Sequence, residues 1–269
     1  NTMKQIIFSG VILALFALTL SSCKEPQETN IYRNAVTDID GNKYDAVKIG
    51  DQIWMRENLM TKHFSDGTPI PFVGTFHGLL YQYYDRDSVA CFLPAENNPP
   101  VNRMLYNGKV ISESKAGKQI CPEGWHLPSA EEWNELFEYT RNNDEWMENC
   151  GGSAAQALSS FTSDLLADKE YNVSHFSNAV LGYVTRSFID CYIPPRPAIS
   201  SYGATSAGTR YWTSNQLDPD SLETIYQHAN IFVQDSFARA AVIDLDVTGT
   251  LKFETRPMGD GLAVRCVKD

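Results

Sequence analysis

The chain has 269 residues, 43% of them hydrophobic and 12% aromatic, with 22 basic against 33 acidic side chains and a formal net charge of -11. That composition excludes intrinsic disorder, and the length suits one large domain or two small ones. An acidic surface without a basic patch repels phosphate backbones and anionic lipid heads over a Debye length, which excludes a broad nucleic-acid interface.

Residues 4–23 run from a single cation, Lys4, through the apolar stretch Ile6–Leu20 to Ser21, Ser22 and Cys23. This is the pattern of a secretory signal peptide, and the apolar run is shorter than the roughly 20 residues that a membrane-spanning helix needs. Leu20-Ser21-Ser22-Cys23 resembles the bacterial lipobox, in which the cysteine is acylated and the chain is cut just before it. Residues 1–22 are then a lipoprotein signal peptide, Cys23 the lipidation site and 23–35 a polar, flexible tether. Several acyl chains at about 0.8 kcal/mol per buried methylene anchor such a protein durably. Glu25 and Glu28, just after the cysteine, favour the outer membrane and exposure at the cell surface.

From Val36 the pattern is of short strands. Val36–Ile39, Tyr44–Ile49 and Gln52–Met55 alternate apolar and polar residues, with a two-residue hairpin turn at Asp40-Gly41 and a second turn at Gly50-Asp51, which predicts an antiparallel meander. The calcium-loop spacing fails at Asp38–Asn42, because the glycine comes too early and no terminal Glu follows. Ser129-Ala130-Glu131-Glu132 is a capping box after Pro128, and Trp133, Leu136, Phe137 and Thr140 recur at helical spacing, which predicts a helix over 129–141. A second helix is expected over 153–167. Strands return at Tyr211–Thr213, Ile243–Val247 and Leu251–Thr255, the last two joined by a turn at Thr248-Gly249, and a terminal strand is expected over Leu262–Val267. Central helices with strands at both ends imply an α+β domain over 36–269 whose termini share one antiparallel sheet.

Several strings resemble the Fibrobacter succinogenes major paralogous domain, a family of surface lipoproteins in Bacteroidetes-like bacteria. They are Asp40–Tyr44 with Val47–Leu59, Asp66–Ile70, Leu105–Asn107, Cys121–Ser129 with Glu132-Trp133, and Gly261–Val267. The resemblance implies a C-type-lectin-like fold, shared with formylglycine-generating enzymes, with two central helices and short antiparallel strands at both ends. It also implies a disulfide between Cys121 and Cys266. Cys91, Cys150 and Cys191 then leave one further bridge and a thiol, with the pairing open. Residues 72–104 and 170–210 depart from the family pattern and read as variable insertions that carry private specificity.

Catalytic signatures are absent from the sequence. A formylglycine-type oxidase needs a reactive cysteine pair near its C-terminal end, where only Cys266 lies, and exported cysteines are usually structural. His63, His77, His126, His175 and His228 lack zinc-ligand spacing, and Asp244 with Asp246 reads as a solvated strand face. The expectation is therefore a non-enzymatic protein with no cofactor and no metal. A binding reading rests on aromatic residues that stack on sugars, namely Tyr83 and Tyr84 beside Asp85, together with Tyr202 and Trp212. Glu-Pro-Asn and Trp-Asn-Asp strings are missing, which disfavours a calcium-dependent lectin. The partners expected are a membrane, through the lipid on Cys23, and a surface protein or glycan.

Overall fold

In the computed structural model the described residues are 30–75, 88–93, 104–150, 152–159, 173–177, 183–187, 199–203, 208–216, 237–244 and 251–269. The first third carries β1 (Ile31–Thr37), β2 (Lys43–Ile49), β3 (Gln52–Met55), β4 (Phe72–Thr75), β5 (Cys91–Leu93) and β6 (Leu105–Asn107). The middle carries α1 (Gly108–Lys115), β7 (Trp125–His126), α2 (Ala130–Arg141), α3 (Asp144–Asn149) and α4 (Ala154–Leu158). The remainder is β8 (Tyr183–Ser187), β9 (Ile199–Gly203), β10 (Gly208–Gln216), β11 (Phe237–Asp244), β12 (Leu251–Pro257), β13 (Gly261–Leu262) and β14 (Val267–Lys268). They form three sheets, ordered β1-β2-β3-β14-β7, β4-β5-β6-β13-β8-β9 and β10-β11-β12. The class is α+β, and residues 31–269 make one compact unit.

The meander forms as expected, with β1, β2 and β3 paired antiparallel, but β1 begins at Ile31 and takes in residues 31–35 of the segment expected as a tether. Its turn also differs from the expected two-residue hairpin. The loop spans Asp38–Asn42, because the nearly buried Asp38 carboxylate gathers it: Oδ1 accepts from the Asp40 and Asn42 amides, and Oδ2 from Asn42 Nδ2 and Tyr44 Oη. Gly41 sits at φ +85°, the left-handed region where glycine is favoured.

Helix α2 obeys its sequence signals. The Ser129 hydroxyl accepts from the Glu132 amide at 3.1 Å and Glu132 Oε2 accepts from the Ser129 amide at 2.7 Å, completing the capping box. Trp133, Leu136, Phe137 and Thr140 are buried, and Glu131, Glu135 and Glu138 are exposed. The second expected helix is shorter than 153–167. Helix α4 stops at Leu158, where Ser159 turns extended and the Ala157 carbonyl is claimed by the amide and hydroxyl of Ser174. Residues 160–167 lie outside the described set.

Burial on both faces of the central strands creates two cores. Tyr44, Ala46, Met55 and Trp212 enter one, while Val47, Ile49, Trp54 and Tyr211 enter the other. Trp133 is the hub of the second, 4.6 Å from Trp54, 5.0 Å from Tyr211 and 6.0 Å from Phe176 between ring centroids. Strand periodicity of two is what directs neighbouring residues to opposite cores. A close approach appears at Gly108, the first residue of α1: a Cβ there would lie 2.8 Å from Met258 Cα and 2.5 Å from its sulfur.

The expected terminal strand over 262–267 is broken. β13 pairs with β6 and β8, Ala263 exchanges backbone hydrogen bonds with Arg210 and Trp212, and the carbonyls of Val264 and Cys266 accept from the Leu59 and Met55 amides. β14 then pairs with β3 and β7. The chain thus passes from one sheet past a second to the third, changing partner at nearly every residue. Strands β11 and β12 form the expected hairpin from Ile243↔Leu251 outward, and its turn at 248–249 lies outside the described residues.

Candidate functional site

Among the described residues, the crossover segment Ala263–Cys266 combines a disulfide with a fully buried cation. Cys266 is bonded to Cys121 with Cα atoms 6.0 Å apart, the pairing implied by the family resemblance. Beside it, Arg265 is 1% exposed. Its Nε and Nη2 donate to Asn58 Oδ1, Nη1 donates to the Phe176 carbonyl, and the guanidinium lies 4.3 Å from the Phe176 ring centroid and 5.4 Å from that of Tyr211. Among the described residues no carboxylate lies within ion-pair distance of it. Burial pushes the guanidinium pKa down, opposed by the negative potential of Tyr211 and Glu57. The aromatic faces and carbonyls replace water around the cation.

Two non-glycine residues in the left-handed region, His175 and Ser177, flank Phe176, each at φ 58°. Arg56 braces the same turn, donating from Nε to the His175 carbonyl at 2.8 Å and from Nη2 to Ser177 Oγ at 3.1 Å. The backbone geometry that aims the Phe176 carbonyl and ring at Arg265 is therefore held by a second arginine. Burial, then Arg56 and Arg33, lower the His175 pKa, which suits a neutral imidazole in this cationic corner.

Cys91 is buried, its Sγ 3.6 Å from the Ile70 carbonyl, and burial pushes its pKa up to about 12, so the nucleophilic thiolate is suppressed. Cys150 is buried at the end of α3. Cys23 and Cys191 lie outside the described residues.

His126 joins three elements. Its Nδ1 meets Asp269 Oδ1 and its Nε2 meets Glu132 Oε1, each at 2.7 Å, tying β7 to the chain's last residue and to the cap of α2. Burial alone lowers its pKa, but the hydrogen bonds it donates to the Asp269 and Glu132 carboxylates, and their charges, outweigh it and raise the value. A His pKa raised above its unfolded value of about 6.5 stabilises the fold fully below that pH, and the contribution is lost as pH rises through the folded value. With His126 35% and Asp269 61% exposed, screening limits the effect to a few tenths up to about 1 kcal/mol. Urea midpoints of the wild type are expected to fall between pH 6 and 8 relative to His126→Gln, and a flat difference across that range contradicts the bridge.

The aromatic ligand candidates fare unequally. Trp212 is fully buried, its Nε1 donating to the Tyr106 carbonyl at 2.7 Å, so it packs the core and presents no stacking face; this corrects the expectation of a ligand contact. Tyr202 lies in β9, paired with Val184 of β8. Tyr83, Tyr84 and Asp85 lie outside the described residues, as do His77, His228 and Asp246.

Both expected insertions contribute strands to the same sheet. β4 and β5 extend it on one side of the β6–β13 pair, and β8 and β9 on the other. β5 is parallel to β4 and each later neighbour is antiparallel, so the chain leaves β4, β5 and β9 at the same sheet end at which β6 and β8 begin. Arg265, Asn58 and the buried ring of Phe176 were invisible as a unit in the sequence. The available signal was a lone arginine inside an apolar string, Leu262-Ala263-Val264-Arg265-Cys266-Val267.

Among the described residues no group of three or more His, Cys, Asp or Glu is placed to hold a metal ion, and no helix is long and apolar enough to cross a membrane. No curated protein and no solved structure matches the chain. The sequence profile of the Fibrobacter succinogenes major domain matches residues 47–268, which takes in the Cys121–Cys266 bond, Arg265 with its acceptors, the end of β2 and every later strand described. The chain belongs to the Fibrobacter succinogenes major domain family.

Proposed function

We propose that this is a non-enzymatic, lipid-anchored envelope protein, held in the outer membrane by acylated Cys23 after removal of residues 1–22 and displaying at the cell surface a C-type-lectin-like domain that binds a protein or glycan. The observation that carries the binding half is the six-stranded sheet: the two segments read from the sequence as variable insertions flank its central β6–β13 pair, and four of their strand ends lie at one end of the sheet. Specificity carried by those segments sits on a scaffold keyed elsewhere by a disulfide and a buried arginine, which is how rigid folds carry recognition in their loops. The anchoring half rests on Leu20-Ser21-Ser22-Cys23 directly after an apolar run.

Formylglycine-type oxidation is the weaker reading. It needs a reactive thiol pair, whereas Cys266 is committed to Cys121 and the Cys91 thiol is deeply suppressed. Calcium-dependent sugar binding is also weaker, since in the Asp38–Asn42 loop the Asp38 carboxylate is consumed by the loop's own amides and Asn42 side chain, and the Asp40 carboxylate by Thr61, Lys62 and His63.

Fractionation tests the anchor. In a bacterium with two membranes the wild type is expected in the detergent-rich phase and Cys23→Ser in the aqueous phase, a change of compartment for most of the protein. Tight membrane association of the serine variant would refute lipid anchoring.

A further inference from the structure

We propose that the corner where α2 meets α3 is a binding site for a short neutral saccharide. The site goes beyond the function proposed above, since it uses neither the anchor nor the divergent segments. It is an open surface depression of about 410 Å³ lined by Glu135, Glu138, Tyr139, Asn142 and Asn143, large enough to seat one or two sugar rings.

Its floor is aromatic and held in place. Tyr139 is 42% exposed, although most large apolar side chains of α2 are buried. Trp146 of α3 meets it edge-on, with ring centroids 5.6 Å apart and planes at 70°. The β2–β3 turn also supports the ring, so closely that a Cβ on Gly50 would lie 3.0 Å from Tyr139 Cδ2. A ring fixed in this way loses little freedom when a ligand stacks on it.

The rim supplies oriented hydrogen-bonding groups. Glu135 Oε2 accepts from Gln52 Nε2 at 3.2 Å, and Glu138 Oε1 accepts from Arg141 Nη1 at 2.6 Å, which orients both carboxylates and leaves each a second oxygen. Asn143 Oδ1 is committed to the Trp146 amide at 3.0 Å, so its Nδ2 carries the donors that face a ligand. Asn142, at the end of α2, is exposed. An aromatic face, carboxylate acceptors and amide donors together match a sugar ring, whose C–H face stacks while its hydroxyls both donate and accept.

Charge chooses among ligand classes. The cavity has two carboxylates, Asp144 and Glu145 follow in the first turn of α3, and the chain's net charge is -11, a field that repels phosphates and acidic sugars.

The test is titration of the full chain, solubilised in detergent, with methyl β-glucoside, methyl β-galactoside, methyl α-mannoside, cellobiose and lactose, followed by saturation-transfer NMR and tryptophan fluorescence. At least one of these is expected to bind with Kd on the order of 1 mM or tighter. Tyr139→Ala is expected to weaken that binding about tenfold, Glu138→Gln about threefold, and Tyr139→Phe by less than about twofold, because the ring face is kept. Melting curves identify any variant that fails to fold, and Glu138→Gln, an exposed change of charge alone, decides the matter if Tyr139→Ala is lost. The proposal is overturned if none of the five sugars binds, or if binding is unchanged in the folded variants. Cys23→Ser is expected to keep full sugar affinity, so failure of the anchor and failure of this site are read separately.

Discussion

Arg265→Ala is expected to lower the stability of the domain by about 3–5 kcal/mol, the cost typical of breaking a buried charged network. The side chain is 1% exposed and donates to the buried Asn58 Oδ1 and Phe176 carbonyl, and more distantly, at 3.5 Å, to the Ser177 carbonyl. Removing the guanidinium strands the two buried acceptors and opens a cavity between the Phe176 and Tyr211 rings, so desolvation and cavity terms add. Arg265→Lys keeps the charge, but its compact ammonium cannot reproduce the fork that reaches Asn58 through two nitrogens and Phe176 through a third. It is expected to recover less than half of the loss. Asn58→Leu is expected to cost about 2–4 kcal/mol by leaving the cation without its side-chain acceptor. Urea denaturation of the three variants measures this directly, and an Arg265→Ala midpoint indistinguishable from wild type contradicts the keyed crossover.

The second large effect is the loss of the Cys121–Cys266 bond. The two cysteines are 145 residues apart in sequence, and in the chain-entropy model closing so long a loop stabilises by about 4–5 kcal/mol. Cys121→Ser with Cys266→Ser is expected to reduce the urea midpoint by a corresponding amount. Both cysteines are at most 1% exposed, so a thiol reductant is expected to reach the bond in the native protein only after the fold opens. Reduction that is fast in the absence of denaturant and leaves the midpoint unchanged contradicts a structural bond. The bond and Arg265 are adjacent and share the crossover, so the triple variant is expected to depart from additivity.

Those two expectations mark where sequence and structure part company. Local signals read correctly because their physics is local: the capping box at Ser129 and Glu132 closes within one turn, and the alternation in β2 and β3 puts Val47 and Trp54 on one face and Ala46 and Met55 on the other. The same alternation misled at Leu262–Val267, where an apolar run resembles one strand but serves three different sets of partners as it crosses between sheets. Asp40-Gly41 has the composition of a two-residue turn, yet Asp38 outcompetes it by accepting four hydrogen bonds. Trp212 looked available for stacking because burial is a property of the assembled sheets, in which a buried carbonyl at Tyr106 takes its N–H. The Cys121–Cys266 pairing was legible through family resemblance alone, since spacing does not determine connectivity. Tyr139 was missed as a surface feature because its supports, Gly50 and Trp146, come from elements distant or separately folded in sequence.

Intact-mass and N-terminal peptide mass spectrometry of the protein extracted from bacterial membranes tests the central claim most directly. A chain that begins at Cys23 and carries a thioether-linked diacylglycerol, with a further acyl group on its amine, is the result predicted. A mature protein that retains residues before Cys23, or that carries Cys23 unmodified, would contradict the account of a family domain held at the envelope by its first residue.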